Sequence, residues 1–151
     1  MYRVLIVYST QTGRTRQLVD ACAEGVTADD DVALSVRVAS DAGTDDLLAC
    51  DGLILATPEN FGYMSGLVKD FLDRTYYPAE GKTIALPYGV MVSCGNDGRG
   101  AVSAIERIAS GYQWKAFAEP LIARGDPDEQ QLAQARTLGE TLAAGLSVGA
   151  F

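Results

Sequence analysis

Two short runs in this chain, YRVLIVY (Tyr2–Tyr8) and GLILAT (Gly52–Thr57), are apolar at nearly every position rather than at every second one. A strand with one wet face alternates, whereas a strand apolar throughout must be covered on both sides, as in a parallel sheet sandwiched between helices. The segments between such runs carry a helical period. Leu18, Val19, Cys22 and Val26 share one side of a helix predicted over Thr15–Val26, and Met64, Leu67, Val68, Phe71 and Leu72 share one side of another. Further strands are predicted at Val32–Ala39, Ile84–Ser93 and Phe117–Ala123. Pro87 delays the start of the fourth strand and Pro120 marks the last as an edge, since proline gives a ladder no N–H.

Helix boundaries follow from caps. Thr44 is the expected N-cap of a short helix ending near Cys50, with Asp45 and Asp46 at its positive end. Pro78 is expected to stop the third helix. A fourth places Ala101, Ala104, Ile105, Ile108 and Tyr112 on one face, and Asp126-Pro127-Asp128-Glu129 opens a fifth, with Asp126 as N-cap. The order β-α-β-α-β-α-β-α-β-α predicts one α/β domain over 1–151, a three-layer doubly wound five-stranded parallel sheet. Ligands of such sheets lie beyond the carboxyl ends of the strands, where the strand order reverses. The loops after strands one, three and four therefore matter most.

Composition excludes several chemistries. The chain has no histidine, so catalytic triads and His-bearing metal sites are ruled out. Its three cysteines lack C-x-x-C spacing, and neither a disulfide framework nor a metal site is expected. The net charge of −8 disfavours nucleic acid and anionic lipid; it serves solubility or steers a basic partner. No apolar run is long enough to span a bilayer, and no basic n-region precedes Tyr2–Tyr8, so a cytoplasmic location is expected.

The first loop, Ser9-Thr10-Gln11-Thr12-Gly13-Arg14-Thr15, runs from a strand into a helix. Its hydroxyls and the helix N-terminus suit a terminal phosphate, and Gly13 permits close approach. The same residues also suit a plain polar turn. Walker and Rossmann glycine patterns are both absent. The second loop, Thr57-Pro58-Glu59-Asn60-Phe61-Gly62-Tyr63, offers rings to stack on a flat heterocycle and backbone to bond its rim; Phe61 and Tyr63 equally suit packing. The third, Ser93-Cys94-Gly95-Asn96-Asp97-Gly98-Arg99-Gly100, fits either close approach to a ligand or a tight turn, and Cys94 is assigned no chemistry.

Together the loops resemble the three flavin-binding loops of the flavodoxin-like superfamily. Ser9–Thr15 is similar to its S/T-x-T-G-x-T phosphate loop, Thr57–Gly62 to the T-P-x-x-x-G loop of flavin reductases, and Met64–Arg74 (MSGLVKDFLDR) to the helix that follows there. The likeness is nearer to NAD(P)H-dependent FMN reductases and quinone oxidoreductases than to electron-carrier flavodoxins. It implies the flavodoxin-like strand order 2-1-3-4-5. It further implies FMN, rather than FAD, held by the three loops, with NAD(P)H as co-substrate and a quinone or other small acceptor. No catalytic side chain and no metal are implied. The alternative is an electron-transfer flavodoxin docking a redox partner protein. Two departures stand out: the third loop has no aromatic, and the chain is too short for the last-strand insertion of long-chain flavodoxins. Tyr76, Tyr77, Tyr112 and Trp114 near helix ends leave a homo-oligomer open.

Overall fold

The computed structural model describes residues 1–151. Along the chain run β1 (Tyr2–Tyr8), α1 (Arg14–Thr27), β2 (Val32–Val38), α2 (Thr44–Ala49), β3 (Gly52–Asn60), β4 (Tyr63–Met64), α3 (Gly66–Ala79), β5 (Pro87–Cys94), α4 (Arg99–Tyr112), β6 (Lys115–Ala116), β7 (Leu121–Arg124) and α5 (Glu129–Ser147). β2, β1, β3 and β5 lie side by side and parallel, and β6 and β7 share the fifth position beside β5. This is the five-position flavodoxin-like sheet that the sequence predicts.

Residue alternation along each strand sorts the core into two layers. Val4, Ile6 and Tyr8 of β1 join Ile54 and Ala56 of β3 beneath α1 and α5, against Leu18, Cys22, Leu138 and Leu142. Leu5, Val7, Leu53 and Leu55 face the opposite way, onto Leu47 of α2, Val68 and Phe71 of α3 and Ile105 of α4. Each fully buried side chain of this size stabilises the fold by about 1.5–3 kcal/mol, so both faces must be covered. No helix is long and apolar enough to cross a membrane.

Local chemistry moved several boundaries. β3 continues past Thr57 through Asn60, where it pairs antiparallel with β4, so Pro58–Asn60 is strand rather than loop. Phe61 and Gly62 turn the hairpin, both with positive φ (51° and 73°), as a type I′ turn requires. Met64 belongs to β4, and α3 starts after Ser65, whose Oγ accepts from the Val68 N–H. Pro78 lies inside the last turn of α3, where the helix ends a residue later at Ala79. The N-cap of α2 is Gly43, not Thr44; the Asp46 carboxylate accepts from the Gly43 N–H at 2.9 Å.

The last strand is broken into β6 and β7. The Phe117 ring lies where a side chain on Gly89 would stand, and Pro120 has no N–H for the ladder. α5 is capped by Asp128, not Asp126, in a reciprocal box with Gln131 (2.8 and 3.0 Å). Asp126 instead pairs with Arg14.

Candidate functional site

β1, β3 and β5 are adjacent and parallel, so their carboxyl ends deliver the three loops to one edge of the sheet. There they enclose a cleft of about 180 Å³ whose ten lining residues all come from those loops: Gln11, Thr12, Arg14 and Thr15; Pro58, Glu59 and Asn60; Ser93, Cys94 and Gly95. The remaining candidates stand around it. Ser9 and Thr57 are buried behind the wall, Thr10 is exposed, and Gly13 begins α1. Phe61, Gly62 and Tyr63 form the exposed end of the hairpin, with Phe61 wholly uncovered. Asn96 and Asp97 are exposed outside the cleft, and Gly98 is packed beneath Ile122.

Buried hydroxyls join the three loops. Ser9 Oγ lies 2.6 Å from Ser65 Oγ, and Thr15 Oγ1 lies 2.7 Å from Ser93 Oγ. The Ser65 N–H donates to Thr57 Oγ1 (2.9 Å), which donates onward to the Pro58 carbonyl (2.8 Å). Every buried side-chain polar atom has a partner. These contacts resist separation of the loops, because an unpaired buried hydroxyl costs about 1–3 kcal/mol. Ser65, which sequence reading passed over, is central to them; an S-x-x pattern before the helical period was the available signal.

The N-terminus of α1 is arranged differently. Gly13 caps it in a left-handed conformation (φ 91°), with no side-chain cap and no acidic residue in the first turn. The helical ladder opens only at the Gln17 N–H, which donates to the Gly13 carbonyl at 3.1 Å. Thr10 Oγ1 accepts from the Gly13 N–H at 3.1 Å, so its own proton is free to donate. Thr12 and Gln11 are exposed on the cleft wall. Arg14 lines it too, and its Nε reaches Asp126 at 2.9 Å in a solvent-screened pair worth about 1 kcal/mol or less. An uncapped helix end with hydroxyl donors is a site for an anion.

On the facing wall Glu59 bridges two loops. Its Oε1 accepts from the Gly98 N–H (3.3 Å) and its Oε2 from the Ala101 N–H (3.5 Å), at the start of α4. Arg124 joins the third loop from β7, its Nε donating to the Gly95 carbonyl at 3.3 Å. Cys94 is buried, and burial and then the Glu59 charge push its thiol pKa up. It stays protonated at neutral pH and offers no nucleophile. No cluster of His, Cys, Asp or Glu can hold a metal.

The model of the NADPH-dependent FMN reductase family matches residues 2–117, which carry all three loops. This chain belongs to that family. It is also 33% identical over 73 residues to a flavodoxin of Aquifex aeolicus (strain VF5), covering 48% of this chain and 40% of the relative. Over 95 residues it is 33% identical to an NAD(P)H dehydrogenase (quinone) of Acidithiobacillus ferrooxidans (strain ATCC 53993 / BNL-5-31), covering 50% of this chain and 48% of that one. The chain thus spans less than half the length of these curated relatives. Among solved structures, a flavodoxin from the domain Archaea superposes with a TM-score of 0.87 at 18% identity, over 96% of this chain and 99% of that one. At that identity the likeness concerns the fold.

The residues present fit the FMN that the family implies. A phosphate monoester needs donors and positive potential, and the uncapped end of α1 with Thr10, Thr12 and Gln11 supplies both. A flat ring needs open backbone and aromatic surface; Gly95 at the cleft is exposed, and so are Phe61 and Tyr63 of the adjoining hairpin.

Proposed function

We propose that this protein is an FMN-dependent oxidoreductase that takes reducing equivalents from NAD(P)H and passes them to a quinone or another small acceptor. The observation carrying the reading is the open N-terminus of α1, facing a cleft built from all three loops, in a chain of the FMN reductase family. When bound, FMN supplies the hydride and electron chemistry. The chain's own residues bind and orient. Thr10, Thr12 and the first turn of α1 would hold the phosphate, and the exposed backbone of Asn60–Tyr63 and Gly95–Asp97 would hold the ring. The cleft is smaller than the roughly 300–1,000 Å³ of ordinary small-molecule pockets, so the ring would lie at its mouth, accessible to a second planar molecule. No side chain is assigned a proton transfer.

One observation favours a second reading, electron transfer to a redox partner protein. Over 73 residues the chain is also 33% identical to a flavodoxin. Stopped-flow mixing of the FMN-loaded protein with NADPH or NADH, without air, separates the two. A reductase loses its flavin absorbance within seconds. If dithionite reduces the flavin and neither nicotinamide does, the carrier reading replaces the first.

A further inference from the structure

We propose that Glu59 is a positioning residue that clamps the β3–β4 hairpin to the third loop and so fixes the spacing of two walls of the cleft. Its carboxylate spans the first turn of α4, accepting from Gly98 N–H at 3.3 Å and Ala101 N–H at 3.5 Å, positions 39 and 42 residues away along the chain. The Arg99 N–H between them donates to Asp97 (3.1 Å), so three donors of that helix end are answered by carboxylates. α4 has a left-handed glycine cap, no side-chain cap of its own and no acidic residue in its first turn; Glu59 fills the vacancy from the end of β3.

A second contact meets the same helix turn. Any side chain on Gly100 would overlap the carbonyl of Gly62, so the end of the hairpin sits directly on the backbone of α4. The hairpin is therefore held at its base by Glu59 and at its end by close packing. Phe61, between those points, adopts a positive φ unfavourable for an aromatic residue and is wholly exposed. Its conformation is imposed by attachments on either side, not by burial of its own ring.

Both Glu59 hydrogen bonds are longer than the 2.7–2.9 Å usual when a charge is involved, so the clamp is modest. Removing it should be worth about tenfold, at the low end for a bond to a charged group. The carboxylate also lines the cleft, where its charge opposes an anionic ligand. Shape and charge therefore act in opposite directions, and Glu59→Gln separates them from Glu59→Ala.

The decisive experiment has two arms, and only the second rests on the FMN reading. In the first, amide hydrogen exchange is followed in the apoprotein. Glu59→Ala should speed exchange at Gly98 and Ala101 by about tenfold and loosen residues 58–64, with Glu59→Gln in between. In the second, FMN affinity is read from quenching of flavin fluorescence. Glu59→Gln, which keeps an acceptor and loses the repulsion, should match or exceed wild type, and Glu59→Ala, which loses both, should bind about tenfold more weakly than Glu59→Gln. Unchanged exchange in Glu59→Ala overturns the clamp. Faster exchange in Glu59→Ala with the same FMN affinity in Glu59→Ala and Glu59→Gln overturns the positioning role. Wild-type protein that binds no FMN refutes the functional reading, while the exchange arm still decides the clamp.

Discussion

α1 and α4 both start where a strand ends, at the same edge of the sheet, after β1 and β5, the two strands that flank β3. Each opens with a left-handed glycine, Gly13 at φ 91° and Gly98 at φ 69°, and neither has a side-chain cap or an acidic first turn. At α4 the protein supplies the missing anions itself, through Glu59 and Asp97. At α1 it supplies none, and the helix end faces the cleft. The other helices are closed, α2 by Asp46, α3 by Ser65 and α5 by Asp128. A helix end left open in a chain with 20 acidic residues is a position where an internal anion is missing and an external one fits.

Giving α1 the kind of partner α4 has should have the largest effect. Thr12→Asp places a carboxylate beside that helix end. A carboxylate within about 4 Å of a phosphate charge costs on the order of 4 kcal/mol at an effective dielectric near 20, roughly a thousandfold in affinity. The same substitution should stabilise the apoprotein by about 0.3–1 kcal/mol through the helix dipole. Opposite signs in FMN titration and urea unfolding are the expected signature. Weaker FMN binding together with a destabilised apoprotein would show general damage instead.

Thr12→Ala tests the same end without adding charge. Loss of one charge-assisted hydrogen bond should weaken FMN binding by about 1.5–3 kcal/mol, with apoprotein stability nearly unchanged. Equal effects from Ala and Asp in a titration would place Thr12 away from the phosphate. At the closed end, Glu59→Gln should cost about 0.3–1 kcal/mol of stability in urea, because charge–dipole attraction is lost while an acceptor remains.

The smallest effect expected at neutral pH concerns the thiols. Burial pushes Cys22 and Cys50 up to about 12, and Cys94 upward as well. A thiol pKa raised on folding leaves stability untouched below the unfolded value near 9, and lowers it as pH rises from there towards 12. Unfolding curves should therefore show no thiol contribution between pH 6 and 8.5, and iodoacetamide should label the folded protein slowly over that range. Rapid labelling of Cys94 there would contradict its assignment as an inert thiol.

Much of the fold could be read from residue type and period. The apolar runs at Tyr2–Tyr8 and Gly52–Thr57 needed cover on both faces, and the amphipathic segments between them provided it. What escaped depended on partners distant in sequence. Asp126 had every local mark of an N-cap, but Arg14 draws it away and Asp128 takes that place. The β3–β4 hairpin was hidden because Pro58-Glu59-Asn60 reads as a polar loop, and because Phe-Gly stands where Asn-Gly would have announced a type I′ turn.

The loops of the cleft were legible as a set, since a strand-to-helix turn rich in hydroxyls carries its chemistry locally. The division of labour within them was not. Ser9 and Thr15 look like ligand donors in the sequence, and the structure turns them to Ser65 and Ser93. The role of Glu59 depends on partners distant in sequence, which only the approach of α4 supplies.

Calorimetric titration of the apoprotein with FMN and, in parallel, with riboflavin tests the central claim most directly. The two ligands share the ring and ribityl chain and differ in the phosphate alone, so the ratio of their affinities isolates the open end of α1. FMN should bind at least about a hundredfold more tightly, the equivalent of one or two charge-assisted hydrogen bonds. Equal affinities, or no binding of FMN, would contradict the assignment of that helix end as the phosphate site.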